Sequence, residues 1–324
     1  MSWGERHGGP RVAFLVPCYN EEQVLPTTVD ALVRKLDALS AAGAAAGDSF
    51  VVLVDDGSLD HTWSVIEGTQ AKYGASIVGI CLSVNAGHQN ALVAALDYVT
   101  SRADLSISID ADLQDSLDAI DDMLEAYRGG AEMVFGVRRS RESDTRFKRL
   151  TAAWFYRVMT ALGVDMVHQH ADYRLMSRAA MKNLQQFPEY HLFLRGLVKR
   201  LHNRVAVVEY DRVARVAGES KYTLRKMLSL AIRGIVSFST VPLRAVSILG
   251  LMVFAAGILL SLYAIVGGLS GHTVPGWASI SAPLYALGGV IMLCIGVLGE
   301  YVGKIYEQVK GRPRYLIDKM VGDQ

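Results

Sequence analysis

With 324 residues and 51% hydrophobic side chains, the chain can bury a substantial core and holds more than one structural unit. The net charge of +1 hides a split: residues 1–135 carry 7 Lys/Arg against 20 Asp/Glu, and residues 136–324 carry 26 against 12. An acidic half beside a basic half points to metal binding in the first and to anion or membrane contact in the second; no nucleic-acid partner is expected. Cys18, Cys81 and Cys294 are widely spaced and form no C-x-x-C, so they read as small buried hydrophobes in a reduced compartment rather than as a disulfide or zinc framework. Residues 1–11 lack an apolar core, so no signal peptide is expected there.

The apolar run Val12–Val16 predicts a first strand, closed by Pro17-Cys18-Tyr19-Asn20-Glu21. Helical spacing follows from Glu21 through Leu39, with Pro26 in the first turns where it is tolerated. A second strand, Phe50–Val54, ends in Asp55-Asp56-Gly57-Ser58, and Asp60 reads as the N-cap of a helix to about Tyr73. A third strand, Ser76–Leu82, leads through Asn85-Ala86-Gly87-His88-Gln89-Asn90 into a helix ending near Val99. Next comes Leu105–Ile109, which stops abruptly at Asp110-Ala111-Asp112, followed by Gln114 and a helix with acidic first turns (Asp115, Asp118, Asp121, Asp122). A fifth strand, Glu132–Phe135, ends in Gly136-Val137-Arg138-Arg139.

Strand, loop and helix repeating in this way predict a mostly parallel, doubly wound α/β sheet. Right-handed crossovers place every polar loop on one edge, so Tyr19, Glu21, Asp56, His88, Asp110, Asp112 and Arg138 should converge. Residues two apart on an extended segment point the same way, so Asp110 and Asp112 can face one object. Carboxylates suit a hard divalent cation, Mg²⁺ or Mn²⁺, that bridges to phosphate; solvated acids in a strand-to-helix loop are the alternative. A dinucleotide-binding domain would need G-x-G-x-x-G after the first strand, where this chain has Pro-Cys-Tyr-Asn-Glu.

As an ordered set, Pro17-Cys18-Tyr19-Asn20-Glu21, Asp55-Asp56-Gly57-Ser58, Asn85-Ala86-Gly87-His88-Gln89 and Asp110-Ala111-Asp112-Leu113-Gln114 resemble the signatures of family 2 (GT-A fold) glycosyltransferases. Asp172-Tyr173-Arg174-Leu175 and Gly218-Glu219-Ser220-Lys221-Tyr222 resemble the polyprenyl-phosphate branch, which includes dolichol-phosphate mannose synthases and bactoprenol glucosyltransferases. The resemblance spans roughly residues 12–225. It implies that Pro17, Tyr19, Asn20, Glu21, Asp56, Asp110 and Ala111 bind the nucleotide and that Asp110, Asp112 and Gln114 hold the metal and diphosphate. The chemistry agrees, since an aromatic offers a stacking face and carboxylates accept from base N–H and ribose hydroxyls. Glu21 can equally stabilise a helix N-terminus, and Asp56 can equally serve a turn. His88 and Gln89 either contact the sugar or begin a helix.

The middle of the chain is basic. By the resemblance Arg138 and Arg149 contact phosphate, which suits arginine's bidentate fork, whereas Arg139, Arg141 and Arg146 read as surface. Phe147–Leu162 reads as helical, and Tyr173–Met176 as a return strand. The resemblance makes Asp172 the candidate catalytic base, with His168 and His170 as weaker candidates. Because a phosphate monoester has its second pKa near ~6, such an acceptor needs little proton abstraction, so Asp172 either orients the acceptor or removes a residual proton. Arg174 either offsets the charge of Asp172 or forms a structural pair with it. Arg215, Ser220 and Lys221 flank the Gly218 turn, a suitable grip for an acceptor phosphate.

Residues 224–242 have the profile of an interfacial amphipathic helix. Val246–Leu269 and Ile280–Gly299 are uncharged apolar stretches, each about the ~20 residues that span a bilayer. Lys and Arg flank both but are absent between them, which puts both termini in the cytoplasm. The expected organisation is a GT-A domain over 1–223, the interfacial helix at 224–242, two membrane helices within 243–309 and a basic tail at 310–324. Glycines in the membrane helices favour a homo-oligomer, a tetramer being the candidate assembly. The expected activity is inverting transfer of one sugar, glucose from UDP-glucose, to polyprenyl phosphate at the inner membrane. The alternatives are a processive polysaccharide synthase, for which Q-x-x-R-W is missing, and a non-catalytic scaffold that binds nucleotide sugar.

Overall fold

Strands that read as continuous apolar runs are buried on both faces, and the centre of this molecule is built from them. In the computed structural model, which describes residues 9–139, 170–189, 204–211 and 277–322 and some residues between 243 and 259, β1 (Val12–Cys18), β2 (Phe50–Asp55) and β3 (Ile77–Leu82) are buried along their whole length. They pair in parallel with β4 (Leu105–Ser108) in the order β3-β2-β1-β4. The helices between them are α1 (Leu25–Ala41), α2 (Thr62–Tyr73) and α3 (His88–Val99). Pro26 lies in the first turn of α1, and Leu25, Val29, Leu32, Val33, Leu36 and Leu39 form its buried face. The α2 cap position is His61 rather than the expected Asp60; Asp60 still helps, accepting the Thr62 N–H on Oδ1 at 3.0 Å.

Beyond β4 the sheet changes direction. β6 (His170–Ser177) lies antiparallel between β4 and β5 (Met133–Arg138), which confirms the return strand and extends it at both ends. The fifth strand runs on through Gly136 to Arg138, past the expected end at Phe135. A β5–β6 irregularity falls at Gly136, where a Cβ would stand 2.6 Å from the Tyr173 ring. The helix before β5, α4 (Ala119–Arg128), starts later than expected, which leaves Asp115 in the preceding loop. After β6 comes α5 (Arg178–Gln185), capped by Ser177.

Two edge strands escaped the sequence reading. β7 (Val205–Tyr210) runs parallel to β5, and β8 (Ile317–Val321) runs antiparallel to β3. The expected basic tail at 310–324 therefore contains a strand, Ile317–Val321, that forms one edge of the sheet. The chain divides into one unit of Met1–Ala153, Met166–Lys221 and Pro313–Gln324 and a second of Trp154–Asp165 and Tyr222–Arg312. Within the second, α6 (Trp277–Val309) includes Leu287–Val309, the one stretch among the described residues long and apolar enough to cross a membrane. Most of Val246–Leu269, the expected first span, lies outside the described residues, as do the interfacial helix at 224–242 and the helix at Phe147–Leu162.

The order β3-β2-β1-β4 reverses direction at β1, which makes the gap between β1 and β4 a topological switch point. The loops after β1, β2 and β4 all open there.

Candidate active site

The loops after β1 and β2 are tied together. Asn20 adopts φ 56°, a left-handed conformation that asparagine tolerates. Its N–H donates to Ser58 Oγ at 2.9 Å, and its Oδ1 accepts the Leu59 N–H at 2.8 Å. Glu21 N–H donates to Thr62 Oγ1 at 2.9 Å. Pro17 is buried within β1, whereas the Tyr19 ring is 44% exposed beside it and open to stacking. Asp56 is 2% exposed and holds the loop after β3, accepting Ala86 N–H at 2.7 Å and Gly87 N–H at 3.0 Å. Burial raises its pKa, and the two backbone donors and His88 only partly offset that. Asp56 therefore serves its own turn and the loop after β3.

The loop after β4 carries the acids. Thr28 Oγ1 of α1 donates to the Ala111 carbonyl at 2.6 Å, which fixes the short segment between Asp110 and Asp112. Leu113 has φ 48°, a conformation that costs a branched residue about 1–3 kcal/mol and is typical of functional loops. Asp110 is held above the ordinary carboxylate range by burial first and then by Asp115, Asp172 and Asp112, with His88 acting in the opposite sense. His88 Nε2 stands 3.9 Å from Asp110 Oδ1 and 3.5 Å from Asp172 Oδ2, so one imidazole bridges the β4 and β6 acids. Gln89 follows it, half-buried, in the first turn of α3.

Asp172 is oriented from two sides. Its carbonyl accepts from Ser108 Oγ at the end of β4, and its Oδ1 accepts from Arg174 Nη2 at 2.7 Å. Arg174 is 2% exposed, so the pair is largely buried. A further cluster lies beside it. Arg138 Nη2 donates to Asp115 Oδ1 at 3.1 Å, Arg138 Nε to Tyr210 Oη at 3.1 Å, and Tyr210 donates to the same Asp115 oxygen. The Tyr210 ring meets Tyr173 edge-on at 5.2 Å, and Tyr173 Oη donates to the Ser116 carbonyl. Asp115 and Tyr210 were not singled out by sequence: Asp115 read as a helix-dipole acid, and Tyr210 ends an unrecognised strand 95 residues away.

The structure therefore brings Pro17, Tyr19, Asn20, Glu21, Asp56, His88, Asp110, Ala111, Asp112, Gln114, Arg138 and Asp172 to one edge of the sheet. Arg149, Arg215, Ser220, Lys221 and His168 lie outside the described residues. Among the described residues no three His, Cys, Asp or Glu side chains stand close enough to hold a metal. The donors nevertheless fit a hard cation. Gln114 is 2% exposed with neither amide atom partnered among the described residues, and it follows two carboxylates whose mutual repulsion a cation would relieve. Mg²⁺ and Mn²⁺ keep waters and substrate phosphates as ligands, so two carboxylates and an amide oxygen suffice from the protein.

Residues 13–185 match the glycosyl transferase family 2. A bactoprenol glucosyl transferase of Shigella phage SfX is 38% identical over 309 residues, covering 95% of this chain and 98% of that protein. An uncharacterized glycosyltransferase of Bacillus subtilis is 44% identical, covering 95% of this chain and 91% of that protein. Among solved structures, a mannosyltransferase of Pyrobaculum calidifontis in complex with GDP-Man and Mn²⁺ covers 94% of this chain and 86% of that one, at 16% identity and a TM-score of 0.49.

Proposed function

Since the chain belongs to glycosyl transferase family 2, we propose that it transfers a single glucose from UDP-glucose, with inversion, to polyprenyl phosphate at the inner membrane. The observation that carries this reading is His88 Nε2 lying within 4 Å of both Asp110 and Asp172. In this reading Asp110 belongs to the donor-diphosphate side and Asp172 to the acceptor side, with the His88 imidazole between them. The near full-length similarity to a bactoprenol glucosyl transferase supports the acceptor and the sugar.

In this reading Tyr19 stacks on the base, while Asn20, Glu21 and Asp56 shape its pocket. A divalent cation held by Asp110, Asp112 and Gln114 would neutralise the departing diphosphate. Arg138 restrains a phosphate. Asp172, with one oxygen engaged by Arg174 and the other turned toward His88, orients the acceptor. A polyprenyl phosphate is largely dianionic at neutral pH and attacks with little need of a general base.

The membrane arrangement is supported by connectivity. The chain leaves the catalytic unit at Lys221 and returns at Pro313, and β8 pairs with β3 of the same sheet. A segment that starts and ends in one folded unit crosses a bilayer an even number of times, so Leu287–Val309 calls for a second span, for which Val246–Leu269 is the candidate. A homo-oligomer remains part of the proposal.

The test incubates membranes with a panel of labelled nucleotide sugars and a short polyprenyl phosphate. A lipid-linked monosaccharide formed best from UDP-glucose supports the reading. Polymer would identify a processive synthase, and no product with any donor would identify a scaffold.

A further inference from the structure

Resting on the transfer reading above, we propose that Asp115 and Tyr210 are positioning residues that fix one edge of the Arg138 guanidinium so that its opposite edge meets a substrate phosphate as a fork. The planar guanidinium carries five N–H donors in fixed directions. Nε and Nη2 form one edge, and both are engaged, Nε by Tyr210 Oη and Nη2 by Asp115 Oδ1, each at 3.1 Å. The Tyr210 hydroxyl donates to that same carboxylate oxygen, so the three groups close a ring of hydrogen bonds. Nη1 and the second Nη2 proton form the other edge, for which the structure shows no partner among the described residues, and the Arg138 side chain keeps 32% exposure. Asp115 and Tyr210 are 2% and 4% exposed, so the inner edge is anchored on groups that cannot move without repacking.

The place of this ring matters as much as its geometry. Asp115 lies next to Gln114 in the loop after β4 and is close enough to Asp110 to act on its charge. Arg138 ends β5 at the same edge of the sheet as that loop, so in this proposal its outer edge meets a diphosphate or an acceptor phosphate bound there. Asp115 also cancels the charge of Arg138, so the pair contributes direction more than net attraction. Two parallel donors match two oxygens of a tetrahedral phosphate, which a lysine ammonium cannot reproduce. Tyr210 is supplied by the edge strand β7, and its ring packs on Tyr173, the residue after Asp172. The acceptor-side strand and the arginine thus share one aromatic support.

Tyr210→Phe removes one hydroxyl and keeps the ring. It is compared with Arg138→Lys and with the double variant by reading the KM for polyprenyl phosphate, the Kd for UDP and the melting temperature. The expected result is a roughly tenfold loss in one of the two constants, in line with a hydrogen bond to a charged group, and no further loss when Tyr210→Phe is added to Arg138→Lys. A rise in KM assigns the fork to the acceptor phosphate, and a rise in Kd assigns it to the donor diphosphate. Both constants unchanged in folded Tyr210→Phe would overturn the proposal, and so would additive losses in the double variant. Asp115→Asn serves as the second single variant should Tyr210→Phe not fold. A wild-type protein that makes no lipid-linked sugar would remove the transfer reading, while UDP binding would still report on the fork.

Discussion

Replacing Asp56 by asparagine tests whether the site is built on a carboxylate that serves its own loops before it meets a ligand. Asp56 Oδ1 accepts the Ala86 N–H at 2.7 Å, and Oδ2 accepts the Gly87 N–H at 3.0 Å, in a residue only 2% exposed. Asparagine keeps one acceptor and turns an NH₂ group toward the other N–H. One charge-assisted bond is lost and one donor is left facing a donor, costing about 2–3 kcal/mol. At about 2–4 °C per kcal/mol for a domain of this size, the melting temperature should fall by about 4–12 °C. The pH dependence carries a sign as well. Burial raises the Asp56 pKa above its unfolded value of about 3.9, so the folded state holds this proton more tightly and ionising the group costs stability. The wild type gains relative to Asp56→Asn as pH falls through the folded pKa, and the gap narrows as pH rises from the unfolded value through the folded one. Thermal melts of both proteins in detergent between pH 4 and 8 read this directly. An unchanged melting temperature, or a gap that widens with rising pH, would refute the assignment of Asp56 as a buried loop clamp.

Asp172→Asn keeps an acceptor for Arg174 and should lower kcat by less than ~100-fold, below the ~10²–10⁴ of a lost general base; a loss inside that range would make Asp172 the proton acceptor. Gly57→Ala forces a side chain into φ +65° with its Cβ 2.7 Å from Asn85 N, so it should destabilise by about 1–3 kcal/mol and weaken UDP binding, measured by melting and calorimetry. Burial and the nearby Asp55 carboxylate push the Cys81 thiol up to about 11, so at pH 8 only about one molecule in a thousand is thiolate, and mass spectrometry after iodoacetamide treatment of the native protein should find Cys81 unmodified.

The parallel half of the fold was readable because β1, β2 and β3 are buried on both faces and therefore spell uninterrupted apolar runs. Edge strands lack that constraint. β7 alternates exposed and buried positions over only six residues, β8 is mostly exposed, and neither leaves a run that stands out from a loop. The same logic divides the site. Asp110 and Asp112 announce themselves by abrupt position after an apolar strand, and Asp56 by its turn. Asp115 and Tyr210 are partners only through the fold, and no local spacing marks a pair 95 residues apart. Asp115 was misplaced for a further reason: the acids before α4 look like first-turn residues until the helix is seen to begin at Ala119.

The claim that Asp110 and Asp112 of the loop after β4 hold one cation with Gln114 is tested most directly by counting that cation. Electron paramagnetic resonance of purified protein titrated with Mn²⁺ should give one bound ion per chain in the presence of UDP, and Asp112→Ala, still folded by its melting curve, should lose it. Equal Mn²⁺ stoichiometry in the wild type and Asp112→Ala would contradict the claim.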